Sequence, residues 1–243
     1  RKIQFNLPTK EERKEIFELY LKKYKTEECL LNNISEISDK ALGLSGADIS
    51  NLCNEAGIIA VRNERDSIIL KDLDDAFDYI AVGQKRSSSK LNDSDKRCVS
   101  FHETGHAFMS YIQKYTESPI KVSIIPTTKG ALGYSMSLEK EENLKTSRQL
   151  YQQMAVMLGG RCSEQIFMND ITTGASNDLM KLRELCKRYI TVYGFTNEFN
   201  NNYLNSEMED LSEETKHDID LRIQNLIDDV TKYTLDTLNK HNK

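Results

Sequence analysis

The sequence is short of several residue types, and each shortage excludes a class of protein. It has no tryptophan, three prolines and five cysteines, none of which form a C-x-x-C pair. An odd number of scattered cysteines argues against a disulfide framework, so a reducing compartment is expected. No apolar run approaches the length that a bilayer requires, and we therefore expect this stretch of chain to be soluble by itself.

The charge balance and the chain length narrow the possibilities further. The formal net charge is -5 and 29% of the residues are charged, so a nucleic acid is not expected as a partner. With 243 residues and 38% hydrophobic content, two small cores are expected rather than one. The chain starts with Arg1 instead of Met, and no signal-like segment follows. We expect it to be part of a longer protein whose membrane anchor, if any, lies outside these residues.

The first third of the sequence predicts helices separated by turns. Thr9 and Glu12 have the spacing of a capping box at the start of a helix, with Ile16, Leu19 and Tyr20 facing inward. Apolar residues at steps of three and four predict a second helix in "SGADISNLCNEAGIIAVRNE". A third helix is predicted in "LKDLDDAFDYI". These helices indicate a small helical domain over residues 1–82.

A serine-rich polar stretch, "VGQKRSSSKLNDSDKR", has no apolar periodicity and predicts a linker over residues 83–96. The second domain is then expected over residues 97–243. It should begin with a helix capped by Ser94 or Asp95 and reaching about Gln113. Two short strands are predicted in "IKVSII" and "GALGYSMSL", and long helices after Ser147. The expected fold class is therefore mostly α, with one short β-hairpin.

The stretch "SFHETGHAFMSYIQ", residues 100 to 113, contains an H-E-x-x-H pattern. On a helix, His102 and His106 lie one turn apart on the same face, where two imidazoles can bind one Zn²⁺. Glu103 is angularly offset from that face, which suits a base that takes a proton from water better than it suits a ligand. The alternative is a pair of partly buried histidines on an ordinary amphipathic helix.

A zinc site of this kind needs a third protein ligand. The two remaining histidines, His217 and His241, lie in a highly charged helix and at the end of the chain, and neither is attractive. Cys98 is one turn before the first histidine of the motif, and residues in line along a helix cannot surround a tetrahedral ion. An acidic ligand fits better. The candidates are Glu164 in "LGGRCSEQIF" and Asp178 in "TTGASNDLM".

Four segments together resemble one protein family. "FHETGHA", "KVSIIPTTKGALGY", "LGGRCSEQI" and "TTGASNDL" occur in the order and approximate spacing of FtsH-type ATP-dependent zinc metalloproteases. Upstream, "IQFNLPTKEERKEIF" and "GLSGADISNLCNEAGIIAVR" are similar to the end of that family's AAA+ ATPase module and its helical lid. The resemblance covers roughly the first 195 residues, while the C-terminal helices match only in character. It implies a helical AAA+ lid followed by an α-helical zinc metalloprotease domain with a short hairpin.

The resemblance also implies roles for particular residues. It carries the third zinc ligand onto Asp178 and the catalytic base onto Glu103. Glu164 then either orients a histidine from behind the metal or is an ordinary carboxylate on a helix surface. Gly46 and Ala47, in "SGAD", resemble the part of the lid that approaches the nucleotide in the intact protein. For this chain alone, a helix start capped by Ser45 is the simpler interpretation.

One departure from the family pattern is Thr104, where the family more often has alanine. Its side chain is expected to point away from the metal, with no loss of chemistry. No G-x-x-x-x-G-K-[ST] loop is present, so ATP and Mg²⁺ are expected only in the full-length protein. The glycines of "KGALGYSMSL" either mark a strand that pairs with an extended substrate or belong to an ordinary hairpin.

For the intact protein, the resemblance implies a homo- or hetero-hexamer that unfolds and degrades misfolded or membrane proteins. Its anchor would lie in a bacterial inner membrane or in an organelle membrane such as that of a mitochondrion or plastid. Two alternatives remain at this stage. One is a proteolytically inactive scaffold or unfoldase subunit of a hetero-oligomeric AAA+ ring, and the other is a stand-alone zinc protease unrelated to ATPases.

Overall fold

The computed structural model describes residues 6–83, 91–128, 130–137, 144–196 and 211–241. These residues are mostly α-helical, which confirms the expected fold class. The first helices are α1 (Lys10–Leu21), α2 (Glu28–Asn32), α3 (Ile34–Lys40), α4 (Gly46–Arg62) and α5 (Leu70–Val82). They are followed by α6 (Asp93–Ile112), β1 (Pro119–Ser123), β2 (Tyr134–Ser137), α7 (Ser147–Met168), α8 (Ser176–Thr191) and α9 (Glu213–Lys240).

The chain divides into two compact units. The first comprises residues 1–89, 125–132 and 138–141, and the second comprises residues 90–124, 133–137 and 142–243. Each unit has its own buried apolar cluster, as expected for two small cores. The proposed bounds of 1–82, 83–96 and 97–243 stay a prediction.

The helix starts of the first unit follow from their capping residues. Thr9 accepts a hydrogen bond from the Glu12 N–H, and the Glu12 side chain accepts one from the Thr9 N–H, as predicted. Ser45 forms the same capping box with Asp48 at the start of α4. The predicted inward face of α1 was partly wrong, because Leu19 is 60% exposed whereas Phe17 is fully buried.

Helix α6 begins earlier than predicted. The Asn92 side chain accepts a hydrogen bond from the Asp95 N–H at 2.7 Å, so Asn92 is the N-cap instead of Ser94 or Asp95. Asparagine satisfies the free N–H groups of a helix start as well as serine does. The last four residues of the predicted linker, 93–96, therefore belong to α6, while residues 84–90 lie outside the described part of the chain.

The core of the second unit is built where α6 crosses α7. A Cβ atom added to Gly159 would lie 2.6 Å from the carbonyl oxygen of Gly105, so only glycine permits this backbone contact. Helix α7 also packs against α8 and α9. Strands β1 and β2 form an antiparallel hairpin with Val122 opposite Ser135, and this hairpin lies against α6. The crossing fixes the two helices on which most of the candidate site is built.

Two further predictions concern cysteines and membrane spans. All five cysteines are free. Burial raises the pKa of the Cys53, Cys162 and Cys186 thiols to about 12, so these three behave as small apolar core residues. Among the described residues, no helix combines the length and the apolar character that crossing a bilayer demands.

Candidate metal centre

The structure brings together three residues that the sequence proposed as metal ligands. One nitrogen each of His102 and His106 and one carboxylate oxygen of Asp178 lie within 4.8 Å of one another. The two Nε2 atoms are 3.1 Å apart. Asp178 Oδ2 lies 3.3 Å from His102 Nε2 and 3.4 Å from His106 Nε2. Helix α6 supplies both histidines one turn apart, and the first turn of α8 supplies the aspartate.

Hydrogen bonds on the far side of each imidazole fix which nitrogen carries the proton. His106 Nδ1 lies 2.7 Å from the carbonyl oxygen of Val156, and His102 Nδ1 lies 2.6 Å from Glu164 Oε1. A carbonyl and a carboxylate can only accept, so both Nδ1 atoms are donors. In the neutral imidazoles this leaves the lone pairs on the two Nε2 atoms, which face the same point as the Asp178 carboxylate. This is the donor set that zinc prefers.

The spacing of the three atoms also fits zinc. Ligands at the usual zinc–nitrogen and zinc–oxygen distances, placed at the corners of a tetrahedron, are about 3.3 Å apart. The observed separations of 3.1, 3.3 and 3.4 Å match the three edges of one tetrahedral face. The corner opposite that face has no ligand from these three residues. Catalytic zinc sites keep such a fourth position for water or substrate.

Helix α7 passes the ligand nitrogens at a glycine. A Cβ atom on Gly160 would lie 2.6 Å from His106 Nε2 and 2.7 Å from His102 Nε2, closer than side-chain atoms approach. The two rings therefore occupy space that any other residue at position 160 would fill. The pair of glycines in "LGG" was visible in the sequence, but nothing in the sequence indicated that the second glycine faces the histidines.

Glu103 lies beside the three potential ligands and is only 8% exposed. Burial raises the pKa of its carboxyl, and the neighbouring His106 and His102, which act to lower that pKa, do not cancel the effect. The hairpin approaches Glu103 closely at Gly133, where an added Cβ atom would lie 2.9 Å from Glu103 Cγ and 2.6 Å from Val99 Cγ1. The Glu103 side chain, which projects from α6, is thus covered by the segment that leads into β2.

Glu164 is 1% exposed, so the interpretation as a surface carboxylate is wrong. Its Oε1 accepts the hydrogen bond from His102 Nδ1, and its Oε2 accepts one from the Thr172 N–H at 2.7 Å. Both oxygens of this buried carboxylate are therefore satisfied. Thr172 could not be predicted as the second partner, because the contact depends on how the loop after α7 folds back.

The charges of the cluster favour a divalent cation. Burial by itself would raise the pKa of Asp178, but the interactions with the adjacent His102 and His106 imidazoles hold that pKa well below its usual range. Burial also acts to lower the pKa of His102, yet the hydrogen bonds to Asp178 and Glu164 outweigh it and the pKa is raised. Three carboxylates thus surround two imidazoles, and this surplus of negative charge suits a bound metal ion.

The remaining residues singled out in the sequence lie elsewhere. His217 is on α9 and His241 is its C-cap residue, and neither belongs to the cluster. Thr104 is exposed on α6. Gly46 and Ala47 form the first turn of α4, directly after the Ser45 cap.

Comparisons with known proteins match both parts of the chain. Residues 89–243 match the model of peptidase family M41, and residues 32–75 match that of the AAA+ lid domain. The chain is 35% identical to an ATP-dependent zinc metalloprotease FtsH of Acaryochloris marina over 82% of its own length and 30% of that protein. It is 36% identical to the FtsH of Clostridium perfringens over 82% of its length and 28% of that protein.

A mitochondrial relative matches nearly the whole chain. The mitochondrial inner membrane m-AAA protease component YTA10 of Saccharomyces cerevisiae is 31% identical over 99% of this chain and 33% of that protein. The chain thus spans about a third or less of the length of these relatives. A helical domain with an H-E-x-x-H helix and a nearby aspartate is the arrangement of a zinc metalloprotease. The match over residues 89–243 shows that the chain belongs to peptidase family M41.

Proposed function

We propose that this chain is the zinc endopeptidase portion of an ATP-dependent protease. Residues 1–82 would be the end of the AAA+ module with its helical lid, residues 83–96 the connection, and residues 97–243 the peptidase domain. The family matches over residues 32–75 and 89–243 support this division.

The observation that carries the proposal is that two imidazole lone pairs and one carboxylate face a single point. His102, His106 and Asp178 would hold Zn²⁺ through atoms that already have tetrahedral spacing. Zinc bound there supplies a Lewis acid that lowers the pKa of water and polarises a peptide carbonyl. Glu164 and the Val156 carbonyl hold the two rings from behind, which fixes the tautomer that presents Nε2.

Glu103 is proposed as the general base and then the general acid. Its carboxylate takes a proton from the attacking water and passes that proton to the leaving amine nitrogen when the peptide bond breaks. The hairpin beside Glu103 limits how far this carboxylate can turn, because Gly133 lies against Glu103 Cγ. Proton transfer of this kind depends on a donor and acceptor held within hydrogen-bond reach of the substrate.

The substrate backbone needs a partner that keeps it extended beside the base. Strand β2 follows Gly133 directly, and in the described part of the sheet it pairs only with β1. An extended peptide that adds to the edge of such a strand opposite its partner forms main-chain hydrogen bonds irrespective of its sequence. We propose that β2 holds substrates in this way, which suits a protease that cleaves many different unfolded chains.

For the intact protein we propose a membrane-anchored hexamer, of one or several subunit types, that degrades misfolded or membrane proteins. The names of the relatives support this, since they describe ATP-dependent proteases and, in yeast, a component of a mitochondrial inner-membrane protease. ATP and Mg²⁺ would bind outside this chain, with Gly46 and Ala47 close to the nucleotide. The membrane would be a bacterial inner membrane or an organelle membrane.

The first experiment is the zinc content of the purified chain, followed by peptide cleavage. We expect about one zinc per chain and slow cleavage of a short unstructured fluorogenic peptide. Glu103→Gln should keep the zinc and lower kcat/KM by about 100- to 10,000-fold, the usual contribution of a general base. Glu184→Gln, an exposed change on α8, is the matched control and should leave both quantities unchanged.

The outcomes separate the proposal from its alternative. Folded protein that binds no zinc, without exposure to a chelator, would refute the ligand assignment. Zinc at one per chain with no difference between wild type and Glu103→Gln would instead favour the inactive scaffold subunit, because the metal would then have a structural role only.

A further inference from the structure

Thr172 lies at the point where three parts of the candidate metal centre meet. It follows α7 and is the N-cap residue of a 3₁₀ turn, Thr173–Ala175, that runs directly into α8. Its backbone and its side chain make separate hydrogen bonds. The backbone is tied to α7, and the side chain is tied to α6 and to the 3₁₀ turn itself.

The backbone of Thr172 is linked to the first proposed ligand through one carboxylate. The Thr172 N–H donates to Glu164 Oε2 at 2.7 Å, while Glu164 Oε1 accepts from His102 Nδ1 at 2.6 Å. A buried carboxylate with both oxygens engaged has a fixed position. Glu164 therefore holds the loop at residue 172 at a set distance from the His102 ring.

The side chain of Thr172 fixes the path from this loop to the third proposed ligand. Its Oγ1 accepts a hydrogen bond from the Gly174 N–H at 3.2 Å and lies 3.8 Å from Cys98 Sγ, one helical turn before His102. Helix α8 has no side-chain cap of its own, because its N-cap residue is Ala175. The turn held by Thr172 is thus the local device that sets where α8 starts.

Asp178 lies in the first turn of α8, only a few residues beyond this turn. A change in the start of α8 therefore moves its carboxylate relative to the imidazoles. Zinc tolerates errors of about 0.2 Å in ligand distance. The position of Asp178 is consequently sensitive to the hydroxyl at position 172, although Thr172 itself touches no ligand nitrogen.

We propose that Thr172 is a positioning residue that sets the distance between Asp178 and the two histidines and thereby the zinc affinity. This inference rests on the zinc function proposed above. It adds a residue that supports two ligands at once, one through Glu164 and the other through the start of α8.

The test compares three variants of the whole chain by zinc affinity, measured in competition with a chromophoric chelator. Thr172→Val keeps the shape and the backbone N–H but removes Oγ1, and it should weaken zinc binding about tenfold, as losses behind a metal ligand do. Thr172→Ser should restore wild-type affinity. Thr173→Val, an exposed neighbour of the same residue type, is the matched control and should bind zinc normally.

Two further readouts separate positioning from general stability. The visible spectrum of the Co²⁺-substituted protein reports ligand geometry and should change in Thr172→Val but not in Thr173→Val. If Thr172→Val does not fold, Cys98→Ala removes a milder contact to the same hydroxyl. It should weaken zinc binding about two- to threefold, less than the loss of a group that hydrogen-bonds a metal ligand directly.

Wild-type zinc affinity and an unchanged cobalt spectrum in Thr172→Val would overturn the inference and leave the zinc function intact. The inference would likewise be overturned, with the zinc function intact, if Thr172→Val lowered only the unfolding temperature of the metal-free protein. If the wild-type chain itself binds no zinc, the proposed function fails together with the inference.

Discussion

Gly160→Ala is the sharpest single perturbation of the candidate centre, because α7 passes both imidazoles at Gly160. The added Cβ atom would lie 2.6 Å from His106 Nε2, whereas ordinary contacts begin at 3.4 Å. The ring or the helix must therefore yield by about 0.8 Å. Neither can do so freely, because His106 Nδ1 is bound to the Val156 carbonyl of the same helix.

The displacement is several times larger than the error a metal site tolerates, which is about 0.2 Å. We therefore expect zinc affinity to fall by at least about 100-fold, or roughly 2.7 kcal/mol. Alanine is favoured over glycine inside a helix by about 1 kcal/mol, which offsets part of the cost of moving the ring. The free energy of unfolding of the metal-free protein should therefore fall by less than the free energy of zinc binding does. Chelator competition gives the first quantity, and urea unfolding of the metal-free protein gives the second.

Two other glycines make this prediction specific. Gly57→Ala on α4 meets only side chains, Tyr24 at 3.2 Å and Ile68 at 3.8 Å, and should leave zinc affinity unchanged. Gly159→Ala would strike the Gly105 carbonyl at 2.6 Å and should lower both stability and zinc affinity, because it separates α6 from α7. Normal zinc affinity in Gly160→Ala would refute the placement of the histidine rings against α7.

Two further changes test the groups around the metal. Gly133→Ala places a Cβ atom 2.6 Å from Val99 Cγ1, 2.7 Å from the Ser123 carbonyl oxygen and 2.9 Å from Glu103 Cγ. It therefore displaces the hairpin from Glu103, and peptide kcat should fall at least tenfold with zinc content unchanged; equal loss of zinc would contradict an effect confined to the base and the hairpin. Glu164→Gln keeps a hydrogen bond to His102 but loses the charge, and zinc affinity should fall about tenfold. Unchanged affinity, measured by chelator competition, would exclude Glu164 as the support of that ring.

The sequence predicted the helices well where local signals are strong. The capping box at Thr9, the cap at Ser45 and the apolar spacing of α4 depend on neighbours within one or two turns, and the structure has them as expected. Leu19 was assigned to the wrong face because one turn of helix offers several apolar residues, and only the tertiary contact decides between Phe17 and Leu19. Helices α2 and α3 are short and lack a long apolar period, so they were not predicted.

Only the part of the candidate site that lies on a single helix could be predicted from the residues alone. His102 and His106 share a face because of helical spacing alone, whereas the choice between Glu164 and Asp178 needed the resemblance to a family. The structure puts Asp178 beside the Nε2 atoms and Glu164 behind Nδ1. Gly160 could not be assigned, because its importance arises from a contact between residues more than fifty positions apart.

The groups that hold the histidines in place help to decide whether the site is catalytic or belongs to an inactive scaffold subunit. A buried carboxylate such as Glu164 costs free energy unless its hydrogen bonds are complete, and apolar residues of similar size often stabilise a core more. In this chain the buried Glu164 carboxylate holds the His102 ring so that two imidazole lone pairs face one point. The contact between α6 and α7 at Gly105 and Gly159 does not itself require this carboxylate. The additional buried charge suits a bound metal ion, and we propose that the metal acts in catalysis because Glu103 lies beside it.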